Sequence, residues 1–390
     1  MTVAVANPPF TAALGREAIR VMVVDDAIVV RGLIARWIEA EPDLQMVASL
    51  RSGRDAIERM EHANPDVVVL DVDMPDTDGI TALPRLLAKK RDLVVIMAST
   101  LTRRNAEISL RALALGAADY IPKPETTRQI TTSVSFRQEL IDKIRALVAS
   151  RRRLAAARAL PSSGPGVETA LRFIAALDLP PATEEPDFVL RPFPALPPHA
   201  LLIGSSTGGP QALNTVMSRL GEAMDQVPVL IVQHMPPTFT AILAEHLARA
   251  SGRPAREAVH GEAVLPGRIY VAPGGRHLRV VRREGTPCIA LDDGAPVNFC
   301  KPSVDPLLSS AAEVWGNRAL ALVLTGMGCD GSRGAADLVA TGGAVIAQDE
   351  ASSVVWGMPG SVAQAGLCSA VLPLDDIAPS IARLVLGARP

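Results

Sequence analysis

The feature that most constrains this chain is a run of prolines between two stretches of ordinary globular composition. Nine of the 32 prolines in the 390-residue sequence lie within residues 160–198. Such composition favours extended chain over helix or sheet, and structureless loops of this length are uncommon inside compact domains. We therefore predict a domain over 18–145, a linker over 146–198 that includes a short helical piece near 168–177, and a second domain over 199–390.

Composition and charge exclude several classes of protein. The chain is 48% hydrophobic and 21% charged, with a formal net charge of -2, which is typical of a globular protein and gives no reason to expect a nucleic-acid partner or an anionic membrane surface. Apolar runs such as 319–324 are far shorter than the roughly 20 residues of a membrane helix. The N-terminus lacks the basic start of a signal peptide. We predict a cytoplasmic protein without membrane insertion.

The first domain shows a regular alternation of strand and helix patterns. Apolar strands are predicted at 20–24, 67–70 and 93–98, and helical spacing follows, as at 106–115. Uninterrupted apolar runs are typical of buried parallel strands, and this alternation predicts an α/β doubly wound sheet. In such sheets the carboxyl ends of the strands meet at one crevice.

Acidic and polar side chains stand at these strand ends. Asp25 and Asp26 follow the first strand, Asp71 follows the second, and Ser99 and Lys123 follow the next two. Three carboxylates gathered at one edge repel each other unless a hard cation neutralises them, and oxygen ligands of this kind suit Mg²⁺. A lysine and a hydroxyl group would complete a phosphoryl site. A turn or a helix cap explains one such aspartate, but not the whole set.

With these residues the first domain resembles the response-regulator receiver family, whose fold is flavodoxin-like. The matching motifs are Val-Val-Asp-Asp at 23–26, Leu-Asp-Val-Asp-Met-Pro at 70–75, Ala-Ser-Thr at 98–100 and Lys-Pro at 123–124. The resemblance implies that Asp71 accepts a phosphoryl group and, with Asp25 and Asp26, holds Mg²⁺. It implies that Lys123 contacts the phosphate.

The same resemblance implies two residues that sense phosphorylation. Ser99 would be the switch hydroxyl, with its neighbour Thr100 as the alternative, and Tyr120 would occupy the switch aromatic position. Phosphorylation in this family shifts a two-state equilibrium that changes the face presented to a partner or effector domain.

The second domain begins with a candidate nucleophile turn. A short apolar strand at 200–204 runs into Gly-x-Ser-x-Gly at 204–208, and helical spacing follows from Pro210. In that context the glycines permit a tight turn that lifts Ser206 above the sheet edge. Phosphate binding by the same glycine-rich loop is the alternative interpretation.

Two later strands favour the interpretation of Ser206 as a nucleophile over phosphate binding by the glycine-rich loop. These strands are predicted at 228–232 and 318–324. His234 and Asp330 lie shortly after these strands, at the carboxyl ends where one crevice can hold both side chains together with Ser206. Ser206 would attack, His234 would take its proton, and Asp330 would orient the imidazole. The order Ser-His-Asp differs from that of the ordinary α/β-hydrolases, so a lipase-like fold is not expected. His277 is a reserve candidate for the site.

This half resembles the effector domain of the chemotaxis protein-glutamate methylesterase family, a Rossmann-like doubly wound hydrolase. Matching motifs include Ile-Gly-Ser-Ser-Thr-Gly-Gly at 203–209, Gln-His-Met-Pro at 233–236, Lys-Pro-Ser-Val-Asp at 301–305 and Leu-Thr-Gly-Met-Gly at 324–328. The resemblance implies that Ser206, His234 and Asp330 form the catalytic triad. It implies that the backbone at Met327 and Thr207 holds the oxyanion, and that this domain needs no cofactor.

The sequence departs from this family's pattern at two places. Phe299-Cys300-Lys301 replaces a more basic stretch, and Cys329 stands where many relatives have asparagine. Both departures bear on substrate preference and rate rather than on the type of reaction. The four cysteines show no Cys-x-x-Cys spacing, so we interpret them as reduced thiols and not as zinc ligands.

Together the two resemblances imply a hydrolase of methyl-accepting chemotaxis receptors. It would cleave glutamate γ-methyl esters, releasing methanol, and deamidate selected glutamines. The receiver would cover the effector crevice until a chemotaxis histidine kinase phosphorylates Asp71. A receiver joined to a DNA-binding domain is disfavoured because residues 199–390 carry 14 Lys+Arg against 16 Asp+Glu, which leaves no basic face for phosphate contacts. A binding or scaffold protein with a retargeted hydrolase domain remains an alternative.

Overall fold

The computed structural model describes residues 18–123, 134–159 and 189–387. Within these residues the chain forms two parallel sheets, each with helices on both faces, so the expectation of two doubly wound α/β units is confirmed. The helical piece predicted near 168–177 lies outside the described residues, and the exact domain boundaries stay a prediction. None of the described helices is both long and apolar enough to cross a lipid bilayer.

Over residues 18–123 and 134–159, the first unit forms five strands and five helices. The strands are β1 (Ile19–Val24), β2 (Leu44–Leu50), β3 (Val67–Asp71), β4 (Val94–Thr100) and β5 (Asp119–Lys123). The helices are α1 (Ile28–Glu39), α2 (Gly53–Ala63), α3 (Gly79–Lys89), α4 (Arg103–Ala114) and α5 (Val134–Ala159). All neighbouring strands pair in parallel in the order β2-β1-β3-β4-β5, which is the flavodoxin-like order.

Apolar side chains fill both faces of this sheet. Ile34 of α1 and Ile144 of α5 are buried in one core cluster, on one face. Met60, Leu83 and Leu110, from α2, α3 and α4, are buried in a second cluster on the other face. Because both faces are covered, β3 and β4 are apolar at almost every position, which is why their sequence runs are uninterrupted.

The second unit is built on a seven-stranded sheet. Its strands are β6 (Ala200–Ser205), β7 (Val229–Gln233), β8 (Ala255–Glu257), β9 (Ile269–Val271), β12 (Ala319–Val323), β13 (Ala344–Gln348) and β14 (Ala370–Leu372), and β10 (His277–Arg283) and β11 (Thr286–Asp292) form a separate antiparallel hairpin. Its helices are α6 (Gly209–Arg219), α7 (Phe239–Ser251), α8 (Val304–Trp315), α9 (Ser332–Ala340), α10 (Met358–Gln364) and α11 (Leu374–Val385). The strand order is β14-β13-β12-β6-β7-β9-β8.

Strand order decides where a site can form in each sheet. In the second sheet the chain builds outward from β6 on one side through β7, and on the other side through β12. The first sheet reverses in the same way between β1 and β3. Helices on opposite faces leave a crevice at such a switch point, beyond the carboxyl ends of the strands. Each unit therefore offers one crevice, at β6/β12 and at β1/β3.

The two units pack against each other through α4 of the first and α6 and α7 of the second. The ring of Tyr120 stacks on that of Phe239 with centroids 4.8 Å apart. Arg103 on α4 forms an ion pair with Glu245 on α7, with 2.6 Å between Nη2 and Oε1. The hydrophobic core is continuous across this contact.

Candidate active site and phosphoacceptor site

Ser206 lies on a tight turn directly after β6. Its backbone N–H donates to the Thr325 carbonyl at 3.0 Å, and Gln233 Nε2 donates to the Ser206 carbonyl at 2.9 Å. Gly208 has a φ of 76°, and a Cβ there would lie 2.6 Å from Val354. Glycine is therefore required for the left-handed backbone and for the space. The turn is fixed between β7 and β12, and α6 starts just beyond it.

His234 and Asp330 meet at the same crevice, past the ends of β7 and β12. His234 Nε2 lies 2.7 Å from Asp330 Oδ2. Because a carboxylate can only accept, Nε2 carries the proton and Nδ1 is left to act as a base. Asp330 also accepts from Ser303 Oγ at 2.7 Å, from the Val304 N–H at 2.7 Å and from Asn298 Nδ2 at 2.9 Å. These bonds fix the carboxylate rigidly against the imidazole.

Electrostatics favour an ionised aspartate and a basic histidine. Burial favours the neutral form of Asp330, but the hydrogen bonds from His234 and Ser303 hold its pKa well below the usual range. Burial also lowers the pKa of His234, yet the hydrogen bonds to Asp330 and Cys300 outweigh it and raise that pKa to about 9. The pair therefore has the charge distribution of a base held by an anionic partner.

Cys300 is a site residue whose place sequence reasoning did not find. Its Sγ lies 3.4 Å from His234 Nδ1, the nitrogen that faces away from Asp330. The sequence marked this residue only as a departure from the family pattern. Sixty-six positions separate the two side chains, and no local spacing signals the contact. Asn298 and Ser303, which hold Asp330, were missed for the same reason.

The loop after β12 lies against the serine turn. A Cβ on Gly326 would be 2.8 Å from Ser206 Cβ, so only glycine permits this approach. The backbone N–H groups of Thr207 and Met327 donate no hydrogen bond within the described residues. No hydrogen bond joins Ser206 Oγ to His234 in that part of the chain, and such bonds often form only when substrate binds.

His277, the reserve candidate for the site, has a supporting role rather than a reacting one. It is buried, with Nε2 at 3.0 Å from the Ala295 carbonyl oxygen, and its Nδ1 accepts from the Ser303 N–H at 3.2 Å. His277 thus supports the segment that holds Asp330.

In the first unit, the predicted acidic residues converge at the ends of β1 and β3. Carboxylate oxygens of Asp25, Asp26 and Asp71 all lie within 4.8 Å of one another. Lys123 Nζ lies 2.6 Å from Asp25 and 2.7 Å from Asp71. Burial raises the pKa of Asp71 to about 6 against the lowering effect of Lys123. A cluster of hard oxygen donors, in which burial destabilises the Asp71 carboxylate as an anion, fits a divalent cation such as Mg²⁺.

The candidate switch residues lie between this cluster and the second unit. Ser99 is buried with its Oγ 2.9 Å from Ser109 Oγ on α4, whereas Thr100 is exposed and accepts from Asn105 Nδ2 at 2.8 Å. Tyr120 is buried by its stacking on Phe239.

Comparison with known proteins finds a known domain family for each of the two units. A model of the response regulator receiver domain matches residues 21–135, and a model of the CheB methylesterase domain matches residues 201–381. The chain is 60% identical over 390 residues to the "Protein-glutamate methylesterase/protein-glutamine glutaminase of group 2 operon" of Rhodopseudomonas palustris, with 100% of both chains covered. The chain belongs to the CheB methylesterase family. A Nitrobacter hamburgensis member with the same enzyme name is 62% identical over 387 residues, covering 99% of each chain.

The similarity to CheB proteins thus spans the receiver, the linker and the hydrolase unit together. The crystal structure of the Thermotoga maritima CheB methylesterase catalytic domain is 41% identical and covers 48% of this chain and 98% of its own, with a TM-score of 0.47. The predicted family and the predicted pairing of a receiver with a methylesterase domain are confirmed by these relatives.

Proposed function

We propose that this chain hydrolyses glutamate γ-methyl esters and deamidates glutamines on methyl-accepting chemotaxis receptors. The observation that carries the proposal is the 2.7 Å contact of His234 with Asp330 beside the Ser206 turn, at the switch point of the sheet. The names of the full-length relatives support the substrate class. Both reactions are acyl transfers from a glutamyl carbonyl group, so one site serves both.

The inferred mechanism has two steps. Ser206 Oγ attacks the substrate carbonyl carbon while His234 Nδ1 takes the serine proton and Asp330 stabilises the imidazolium. That proton passes to the leaving group, and methanol or ammonia departs from the acyl-enzyme. Water, activated by the same imidazole, then cleaves the acyl-enzyme to give glutamate and free Ser206.

Backbone donors are proposed to stabilise the tetrahedral oxyanion. The N–H groups of Thr207 and Met327, which are unpaired within the described residues, lie on the two loops that meet at Ser206. Donors that are fixed before the reaction stabilise the developing charge without reorganising.

We infer that the first unit receives a phosphoryl group on Asp71 from a chemotaxis histidine kinase. Asp25, Asp26 and Asp71 would hold Mg²⁺, which when bound neutralises charge on the transferred group. Lys123, already paired with Asp71, would contact the phosphoryl oxygens. From these partners we infer that the protein acts in the cytoplasm.

Phosphorylation is proposed to act through the packed face between the units. The stacking of Tyr120 on Phe239 links the switch aromatic position to α7, the helix that follows the His234 loop. On the same face α4 contacts α6, which follows the Ser206 turn. A rearrangement of α4 and β5 on phosphorylation would therefore loosen the contact of the first unit with α6 and α7, the helices that follow the Ser206 turn and the His234 loop.

Methanol release from membranes with methyl-labelled receptors tests the proposal. Full-length protein is incubated with a small-molecule phosphodonor and Mg²⁺, beside Ser206→Ala. We expect stimulated release by the wild type and background release by the variant. If folded wild-type protein released no methanol from the receptors of the same organism, the result would favour the alternative of a binding or scaffold protein with a retargeted hydrolase domain.

A further inference from the structure

The loop that touches the catalytic pair ends in a fully exposed aromatic residue. Val297 and Cys300 exchange two backbone hydrogen bonds of 3.1 and 2.9 Å, so Asn298 and Phe299 form a two-residue hairpin tip. Both tip residues have positive φ, 51° and 63°, which is the pattern of a type I′ turn. The Phe299 side chain is entirely exposed.

Phenylalanine is a poor choice for this position on structural grounds. The second tip residue of such a turn is usually glycine, because a Cβ is disfavoured in the left-handed region. Asn298 suits its place, but Phe299 is strained and buries no surface in return. One exposed apolar side chain is ordinary by itself. An exposed aromatic on a left-handed backbone has no stabilising role in the chain, which indicates a role outside it.

The neighbours of Phe299 place it at the rim of the catalytic crevice. On one side, Asn298 Nδ2 donates to Asp330 at 2.9 Å. On the other, Cys300 Sγ lies 3.4 Å from His234 Nδ1. Each neighbouring Cα is about 3.8 Å from that of Phe299. With both neighbours turned inward to the triad, the aromatic ring projects outward beside the opening that a substrate must approach.

We propose that Phe299 docks an apolar side chain of the receptor segment that carries the scissile ester. This inference rests on the proposed function and names its specificity contact. The first unit contacts α6, α7 and the loop at 350–354, and it leaves the Phe299 ring fully exposed. Aromatic side chains supply much of the affinity at protein interfaces, because they bury a large area with few rotatable bonds.

The test compares a receptor with a small ester. For the full-length wild type and Phe299→Gly, kcat and KM are measured with a phosphodonor on two substrates. One is methylated receptor membranes, and the other is an N-blocked glutamate γ-methyl ester, which lacks the neighbouring side chains of a receptor segment. Glycine suits the left-handed backbone, so the variant keeps or gains thermal stability. We expect its receptor KM to rise about tenfold and its receptor-to-small-ester ratio of kcat/KM to fall about tenfold, with partial recovery in Phe299→Trp.

Leu386→Ala, which removes another exposed apolar side chain beyond α11, is the matched control and should keep the wild-type ratio. A wild-type ratio in Phe299→Gly, or an equal loss on both substrates, would overturn the docking role. So would a wild-type dimer that becomes monomeric in Phe299→Gly by sedimentation, because the ring would then contact a second copy. A wild type inactive on receptors would overturn the proposed function itself, and this inference with it.

Discussion

Cys300 influences the proton affinity of the catalytic base. Burial lowers the pKa of His234, and the contacts with Asp330 and Cys300 raise it to about 9. A general base works only when it is neutral, so kcat/KM should rise with pH through neutrality and level off near pH 9, falling about tenfold per pH unit below that value. Replacing Cys300 with alanine removes one raising contact. We expect the plateau of Cys300→Ala to begin at a lower pH and the variant to be several-fold faster than wild type at pH 7.

The pH–rate profile of the small ester measures this directly, because that substrate avoids receptor docking. Cys288→Ala is the matched control, since Cys288 lies on β11 and does not contact His234. Identical profiles for Cys300→Ala and wild type would contradict the assigned influence of the thiol.

The loop after β12 is expected to set the position of the nucleophile. A Cβ on Gly326 would lie 2.8 Å from Ser206 Cβ and also strike Met358 Sδ. Gly326→Ala should push the loop and the serine turn apart, and a displacement of this size at a reacting group lowers kcat by about tenfold to a hundredfold. The measurement is kcat on methylated receptors together with the melting temperature.

A glycine in open space provides the comparison for this prediction. Gly32 lies exposed on α1, and a Cβ there meets nothing within 4 Å. Gly32→Ala should stabilise the helix by about 1 kcal/mol and leave kcat unchanged. If Gly326→Ala turned over receptors at the wild-type rate, the loop would have no positioning role.

Elements with a long apolar run were predictable from the sequence, and short edge elements were not. The strand predicted at 200–204 is β6 at Ala200–Ser205, and the strand predicted at 228–232 is β7 at Val229–Gln233, because central strands are buried on both faces. β8 and β14 have three residues each at the two edges of the sheet, and their burial comes from neighbours distant in sequence. The hairpin tip at Asn298 and Phe299 was not predictable either, because the Phe299 side chain is fully exposed and belongs to no apolar pattern.

At the scale of the whole molecule, the sequence predicted two crevices but not how the units pack. Strand ends placed Asp71 and Ser206 in separate crevices. The stacking of Tyr120 on Phe239 joins two residues that share no sequence pattern, so only the structure shows it.

We expect Asp71→Asn to keep a low basal methylesterase activity and to lose stimulation by a phosphodonor, since the signal starts at that carboxylate. Normal stimulation of this variant, measured as methanol release, would contradict the proposal that phosphorylation of Asp71 controls the hydrolase unit.

The ion pair between the units allows a test of the packed face that leaves both crevices untouched. Arg103 Nη2 and Glu245 Oε1 lie 2.6 Å apart, and both side chains are largely exposed. Charge reversal in Arg103→Glu places two carboxylates together and should weaken the packing of the units. Because exposed pairs contribute little, we expect the basal activity without phosphodonor to rise only about twofold to fivefold.

A double variant separates this effect from damage to either unit. Arg103→Glu combined with Glu245→Arg restores opposite charges across the face, so basal activity should return toward the wild-type value. Raising the ionic strength should shrink the difference between the single variant and the wild type, because exposed charges are screened. If each single variant and the double variant all showed wild-type basal activity at low salt, the Arg103–Glu245 ion pair would not restrain the hydrolase. The restraint would then have to lie in other contacts between the units, such as the stacked rings of Tyr120 and Phe239.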